Sequence, residues 1–128
     1  MKRESRILLA IAGTLGAIGV GFGAFGAHAL KEQLVLAGRL DTYETAVLYH
    51  MLHTLAIVGA AILFHLKDNV WVKRAGISFT TGIIIFSGSL YVLCFTGITW
   101  LGAITPIGGV FFILGWLSVS WAFLRNKP

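Results

Sequence analysis

The sequence predicts an all-α fold, an integral membrane four-helix bundle. Four long apolar stretches occupy nearly all of the 128 residues. Only 12% of residues are charged, against a usual share of about 25%. Most of the ionisable groups fall between the stretches. The mean hydropathy of +0.86 agrees. So few charges cannot keep the exterior of a water-soluble domain hydrated, and at this length the chain forms a single transmembrane domain over residues 1–128.

The apolar runs cover residues 7–30, 45–66, 75–95 and 106–124. Each is near the roughly 20 residues that carry a helix across the hydrocarbon core. An unsatisfied backbone group in lipid costs several kcal/mol, so runs of this length are helical. The first follows Lys2, Arg3 and Arg6 and ends near Ala27-His28-Ala29, which imitates a signal-peptide cleavage site. It is longer than the 7–15 residues of a cleavable core and is expected to remain as a span.

Basic residues give the expected sidedness. Lys2, Arg3 and Arg6 before the first span, Lys67, Lys73 and Arg74 before the third, and Arg125 and Lys127 after the fourth lie on one side. Lys31 and Arg39 lie on the other. The positive-inside rule places both termini in the cytoplasm of a cell (inner or plasma) membrane protein. Trp71, Trp100 and Trp121 fall near span ends, where indole rings anchor at headgroups. The net charge of +5 is spread over short connections without a basic stripe, which excludes nucleic acid as a partner.

The connection from Lys31 to Leu40 is expected outside. Leu30, Leu34 and Ala37 follow a helical step, predicting a short amphipathic helix on the membrane surface that ends at Gly38. Asp41 reads as the N-cap of the second span, with Glu44 completing a capping box. Thr105-Pro106 reads as a capping hydroxyl followed by proline at the first turn of the fourth.

Gly16, Gly19, Gly23 and Gly26 step by three, four and three along the first span. That seam lets a neighbouring backbone approach, either within the bundle or between copies. Ser78, Thr81, Gly82, Gly88 and Ser89 give the third span a small-residue side, and Gly108, Gly109 and Gly115 do so in the fourth.

The candidates for chemistry are His28, Glu44, Tyr49, His50, His53, Tyr91 and Thr105. The expected topology collects all seven in the outer half of the membrane. Ionisable groups at such depth face protein or water. Tyr49, His50 and His53 share a helical sector with Ala46 and Ile57, while Glu44 points nearly opposite His53. Interhelical hydrogen bonding, proton handling and metal or haem ligation all draw on such residues. A zinc site needs three or four ligands, and only His28 offers a third, so no metal or other cofactor is expected. Cys94 is the single cysteine, which rules out an intramolecular disulfide and a CxxC redox pair. No catalytic set or nucleotide fingerprint is present.

Taken together, Gly23-Ala24-Phe25-Gly26-Ala27-His28-Ala29-Leu30, Glu44-Thr45 with Tyr49-His50 and His53, Phe86-Ser87-Gly88-Ser89-Leu90-Tyr91 and Thr105-Pro106-Ile107-Gly108-Gly109 resemble a known family. It is that of the small four-span membrane proteins called domain of unknown function 423, to which animal transmembrane protein 256 is similar. The resemblance covers essentially the whole chain. It implies a multi-pass protein of the bacterial inner membrane and brings no activity or cofactor with it.

The function expected from these residues is that of a non-enzymatic accessory or scaffold protein supporting membrane or envelope integrity. Its partners would be the bilayer and another membrane protein or further copies of itself. An oligomeric transporter or channel for ions or small molecules, and a metal- or haem-binding redox protein, are the alternatives.

Overall fold

The computed structural model describes residues 1–125, so Lys127 of the basic tail lies outside the described residues. Among the described residues the regular elements are all helical. Helix α1 spans Arg3–Ala27, α2 Lys31–Leu36, α3 Leu40–Leu66, α4 Val70–Gly82, α5 Gly88–Thr96 and α6 Thr105–Leu124. A π-helical turn, Ile83–Ser87, joins α4 to α5, and a 3₁₀ turn, Thr99–Ala103, leads into α6. Among the described residues four helical stretches are long and apolar enough to cross a membrane: Arg3–Ala27, Leu40–Leu66, Val70–Thr96 and Thr99–Leu124.

The bundle has a central pair and two flanks. The second and third spans bury 39% and 44% of their most apolar stretches, against 17% and 22% for the first and last. Helix α1 packs on α3, α3 packs on α4, and α4 packs on α6, so the chain folds back on itself in sequence order. Leu8, Ala12, Ile57, Ala75, Phe79, Ile83 and Phe112 form the largest buried cluster. Large apolar side chains such as Leu48, Leu55, Ile84 and Ile113 point outward, as a bilayer requires.

The glycine seam of α1 lies against α3 in antiparallel register. Gly16 faces Thr54, Gly19 faces His50 and Met51, Gly23 faces Val47, and Gly26 faces Tyr43. Each pair lies one step further along both helices, the geometry that small residues permit in lipid. On the opposite flank, Gly108 of α6 sits against the backbone of Phe86, and Gly115 sits beneath the Phe79 ring.

The π turn could not be read from the sequence. An inserted residue turns everything after it by roughly 100°. Ser87, at the end of the turn, is fully buried and donates to Ala46 O of α3 at 2.8 Å. Ser89, two residues on, bonds the Thr105 hydroxyl at 2.6 Å.

Both capping expectations are corrected. Helix α3 starts at Leu40 with Arg39 as N-cap and no side-chain cap, so Asp41 and Glu44 lie inside its first turns. Carboxylates there still favour the positive end of the helix dipole. Thr105 is the first residue of α6 rather than its cap, and its hydroxyl donates back to Leu101 O at 3.3 Å. The preceding 3₁₀ turn already directs the chain into the helix. Among the described residues the one side-chain cap of a spanning helix is Asn69, whose Oδ1 accepts from Trp71 N at 2.9 Å. Its Nδ2 donates to Ala122 O at 3.2 Å, tying the start of α4 to the end of α6.

The short helix between the first two spans is present and briefer than expected. Leu34 is its buried residue, seated with Tyr43, Leu90 and Tyr91, while Val35 and Leu36 are exposed. Gly38 follows at φ +67°, a left-handed conformation that favours glycine. Ala37, placed by the helical step on the same side as Leu34, is exposed.

Candidate functional site

His50 and His53 lie on one helix at i and i+3, yet they serve different neighbours. Each is 2% exposed. The His50 Nε2 lies 2.8 Å from Leu15 O of α1, and its Nδ1 lies 2.9 Å from the Tyr91 hydroxyl of α5. A carbonyl only accepts, so Nε2 carries the proton, and in the neutral ring Nδ1 accepts from Tyr91. The ring thus joins three spans.

His53, about 60° around the helix, turns to α6. Its Nε2 lies 3.1 Å from Trp116 Nε1 of α6, and its Nδ1 lies 2.8 Å from Tyr49 O. An indole N–H only donates, so His53 Nε2 accepts and Nδ1–H donates to the carbonyl. The two histidines therefore hold opposite tautomers, each dictated by a neighbour. The His53 ring stacks on Phe112 at 3.6 Å and 11°. Trp116 lies mid-span, where an unpaired N–H in hydrocarbon costs several kcal/mol, and His53 removes that cost.

Glycine makes the α1 contacts feasible. A Cβ on Gly19 would run into Met51 and come within 3.3 Å of His50 Nε2. Its absence bares the carbonyl of Leu15, one turn earlier. The same arrangement recurs seven residues on. Gly26 lies against the Tyr43 ring, and the Tyr43 hydroxyl donates to Phe22 O at 2.5 Å. Two heptad-spaced glycines in α1 thus admit two heptad-spaced polar side chains of α3, each to a carbonyl four residues before its glycine. Tyr91 stacks on Phe22 at 4.2 Å and completes this layer.

The seven candidates are distributed over separate places. His50 and Tyr91 form one contact between α1, α3 and α5. His53 forms a second with α6, and Tyr49, 38% exposed, lays its ring near those of His53, Phe86 and Phe112. Thr105 forms a third with Ser89. His28 is exposed beyond the end of α1, beside Lys31 and Glu32. Glu44 is exposed in a shallow groove between α1 and α3, with Gly23, Gly26 and Val47. Among the described residues no three His, Cys, Asp or Glu side chains are placed to hold a metal ion.

The family model described as "Protein of unknown function (DUF423)" matches residues 22–109. The UPF0382 membrane protein of Haemophilus influenzae is 37% identical over 127 residues, covering 99% of this chain and 98% of that protein. The chain belongs to the UPF0382 (DUF423) family of membrane proteins. UPF0382 membrane protein YwdK of Bacillus subtilis is 44% identical over 116 residues, 87% of this chain and 94% of that one. UPF0382 inner membrane protein YgdD of Escherichia coli strain K12 is 37% identical over 123 residues, 96% of this chain and 93% of that one. No solved structure matches the chain. The family segment of this UPF0382 chain contains His50, His53 and the Ser89–Thr105 pair, while Leu15, Gly16 and Gly19 precede it and Trp116 follows it.

Sequence reasoning missed Tyr43, Ser87, Trp116 and the Leu15 carbonyl. Tyr43 carried a signal, its heptad spacing to His50. Trp116 carried another, an indole far from either span end. Ser87 carried none, because its direction depends on the π turn.

Proposed function

We propose that this UPF0382 chain is a non-enzymatic accessory or scaffold protein of the inner or plasma membrane that supports membrane or envelope integrity, both termini lying in the cytoplasm. The observation that carries the reading is the pairing of the membrane-depth polar groups. Both nitrogens of His50 and both of His53 are committed to Leu15, Tyr91, Tyr49 and Trp116. Ser87, Tyr43 and Thr105 are likewise spent on Ala46, Phe22 and Ser89. Groups spent this way tie helices together. Conduction through the histidines, or metal or haem ligation by them, would need ring nitrogens that these ties occupy.

The cytoplasmic placement is supported by charge. Among the described residues the end of the bundle holding the N-terminus carries seven basic and two acidic side chains, and the other end two basic and three acidic. The name of the Escherichia coli relative, an inner membrane protein, supports the choice of membrane alone.

The test is complementation in a deletion strain with His50→Gln and His53→Gln. This reading expects function to follow the amount of folded protein in the membrane, and restored abundance to restore the phenotype. Purified protein in proteoliposomes that conducts ions, and loses conduction in either variant at unchanged abundance, would overturn it.

A further inference from the structure

A groove of about 410 Å³ runs between α1 and α4 at the basic end of the bundle. The two helices run in parallel there and touch where Leu8 seats on Gly76. The walls are Ile7, Leu8, Ile11 and Ile77, with Thr80 and Thr81 deeper in. Both hydroxyls are spent on their own helix, Thr80 on Gly76 O at 2.9 Å and Thr81 on Ile77 O at 3.0 Å. The groove therefore offers a nearly apolar wall at membrane depth.

Its mouth is charged. Arg3, Glu4 and Lys73 line it. Glu4 pairs with Lys73 at 3.7 Å, while Arg3 makes no ion pair among the described residues. The mouth is thus net positive, with one guanidinium uncommitted, at the end of the bundle with the large basic excess. An apolar slot of this size, with a few polar groups gathered at one end, has the make-up of a ligand site. Basic pockets between spans suit anionic headgroups.

We infer that this groove binds one anionic phospholipid, its acyl chain along Ile7, Ile11 and Ile77 and its phosphate between Arg3 and Lys73. The occupant follows from complementarity in two parts: an apolar slot open to the bilayer, and a cationic mouth at headgroup level. This site is separate from the histidine contacts and does not depend on the scaffold reading.

The test measures lipid selectivity on the full-length protein, reconstituted in mixed phosphatidylglycerol–phosphatidylcholine vesicles with trace spin-labelled lipid. The parent is expected to restrict spin-labelled phosphatidylglycerol in preference to phosphatidylcholine. A basic group held against the headgroup contributes about fivefold. Arg3→Gln should lower the preference by about that factor, and Arg3→Gln with Lys73→Gln should abolish it. Ile77→Trp, which fills the slot without changing charge, should also reduce it. Arg125→Gln, at the same end and outside the groove, should leave it unchanged. A double variant that keeps the parent preference overturns the site. So does an Arg125→Gln loss equal to that of Arg3→Gln, which would mean diffuse surface charge. Displacement of the lipid by millimolar glycerophosphoglycerol, which has no acyl chain, would overturn the slot.

Discussion

The four seam glycines look equivalent in sequence, and the structure separates them. A Cβ on Gly16 would lie 3.7 Å from Thr54, and one on Gly23 would lie 3.5 Å from Val47, both ordinary contacts. Alanine at either position fits and removes backbone freedom from the unfolded chain, a gain of roughly 0.5–1 kcal/mol. A Cβ on Gly26 would collide with the ring of Tyr43, which is 1% exposed. Pushing that ring away breaks its bond to Phe22 O, worth about 0.6 kcal/mol on average and about 1.7 at most. Overpacking adds about 1–3 kcal/mol. With the propensity gain subtracted, Gly26→Ala should destabilise by about 1–4 kcal/mol, while Gly16→Ala and Gly23→Ala should be neutral or stabilising. Reversible unfolding of each variant in mixed micelles, followed by circular dichroism, supplies the comparison. Equal stability of Gly26→Ala and the parent, or equal losses at Gly16 and Gly26, would show that the α1–α3 register is wrong.

Gly108→Ala should be more damaging than Gly26→Ala, because its Cβ would meet the Phe86 backbone rather than a side chain; the same unfolding series measures it. Tyr91→Phe removes one bond to His50 and should cost about 0.6–1.7 kcal/mol, while His50→Ala removes two bonds and leaves a cavity, costing at least twice as much; a double-mutant cycle gives the coupling. Trp116→Phe should leave the fold intact and lower stability by about 0.6–1.7 kcal/mol, and a further His53→Phe should then cost less than it does in the parent; additive losses would argue against the Trp116–His53 bond. With Cys94→Ser as background, cysteine at Glu32 should react with an impermeant maleimide in intact cells, and cysteine at Asp68 only after permeabilisation; the reverse pattern would invert the topology.

What could be read from the chain depends on whether the signal is local. Four spans, the short surface helix and the end with the basic excess are properties of composition over some 20 residues, and lipid leaves a chain of that length only one backbone solution. The glycine spacing announced a close helix contact, though not which helix would fill it. The caps were misread because local grammar at Asp41 and Thr105 competes with a chain already turned by the preceding residues. Sidedness placed the polar candidates in one half of the membrane, but half a membrane is wide enough for His50 and His53 to face different partners 60° apart on their helix.

Composition and run length suffice to make this UPF0382 chain a membrane protein of four helical spans, because hydrophobicity and length act residue by residue. It takes the packed bundle to bring His50 to the Leu15 carbonyl past Gly19, His53 to the Trp116 indole, and Ser87 to Ala46 through a π turn. Those contacts join residues 35, 63 and 41 positions apart. A hydrogen bond needs its two atoms within about 3 Å, and only the packing of helices in space brings them there.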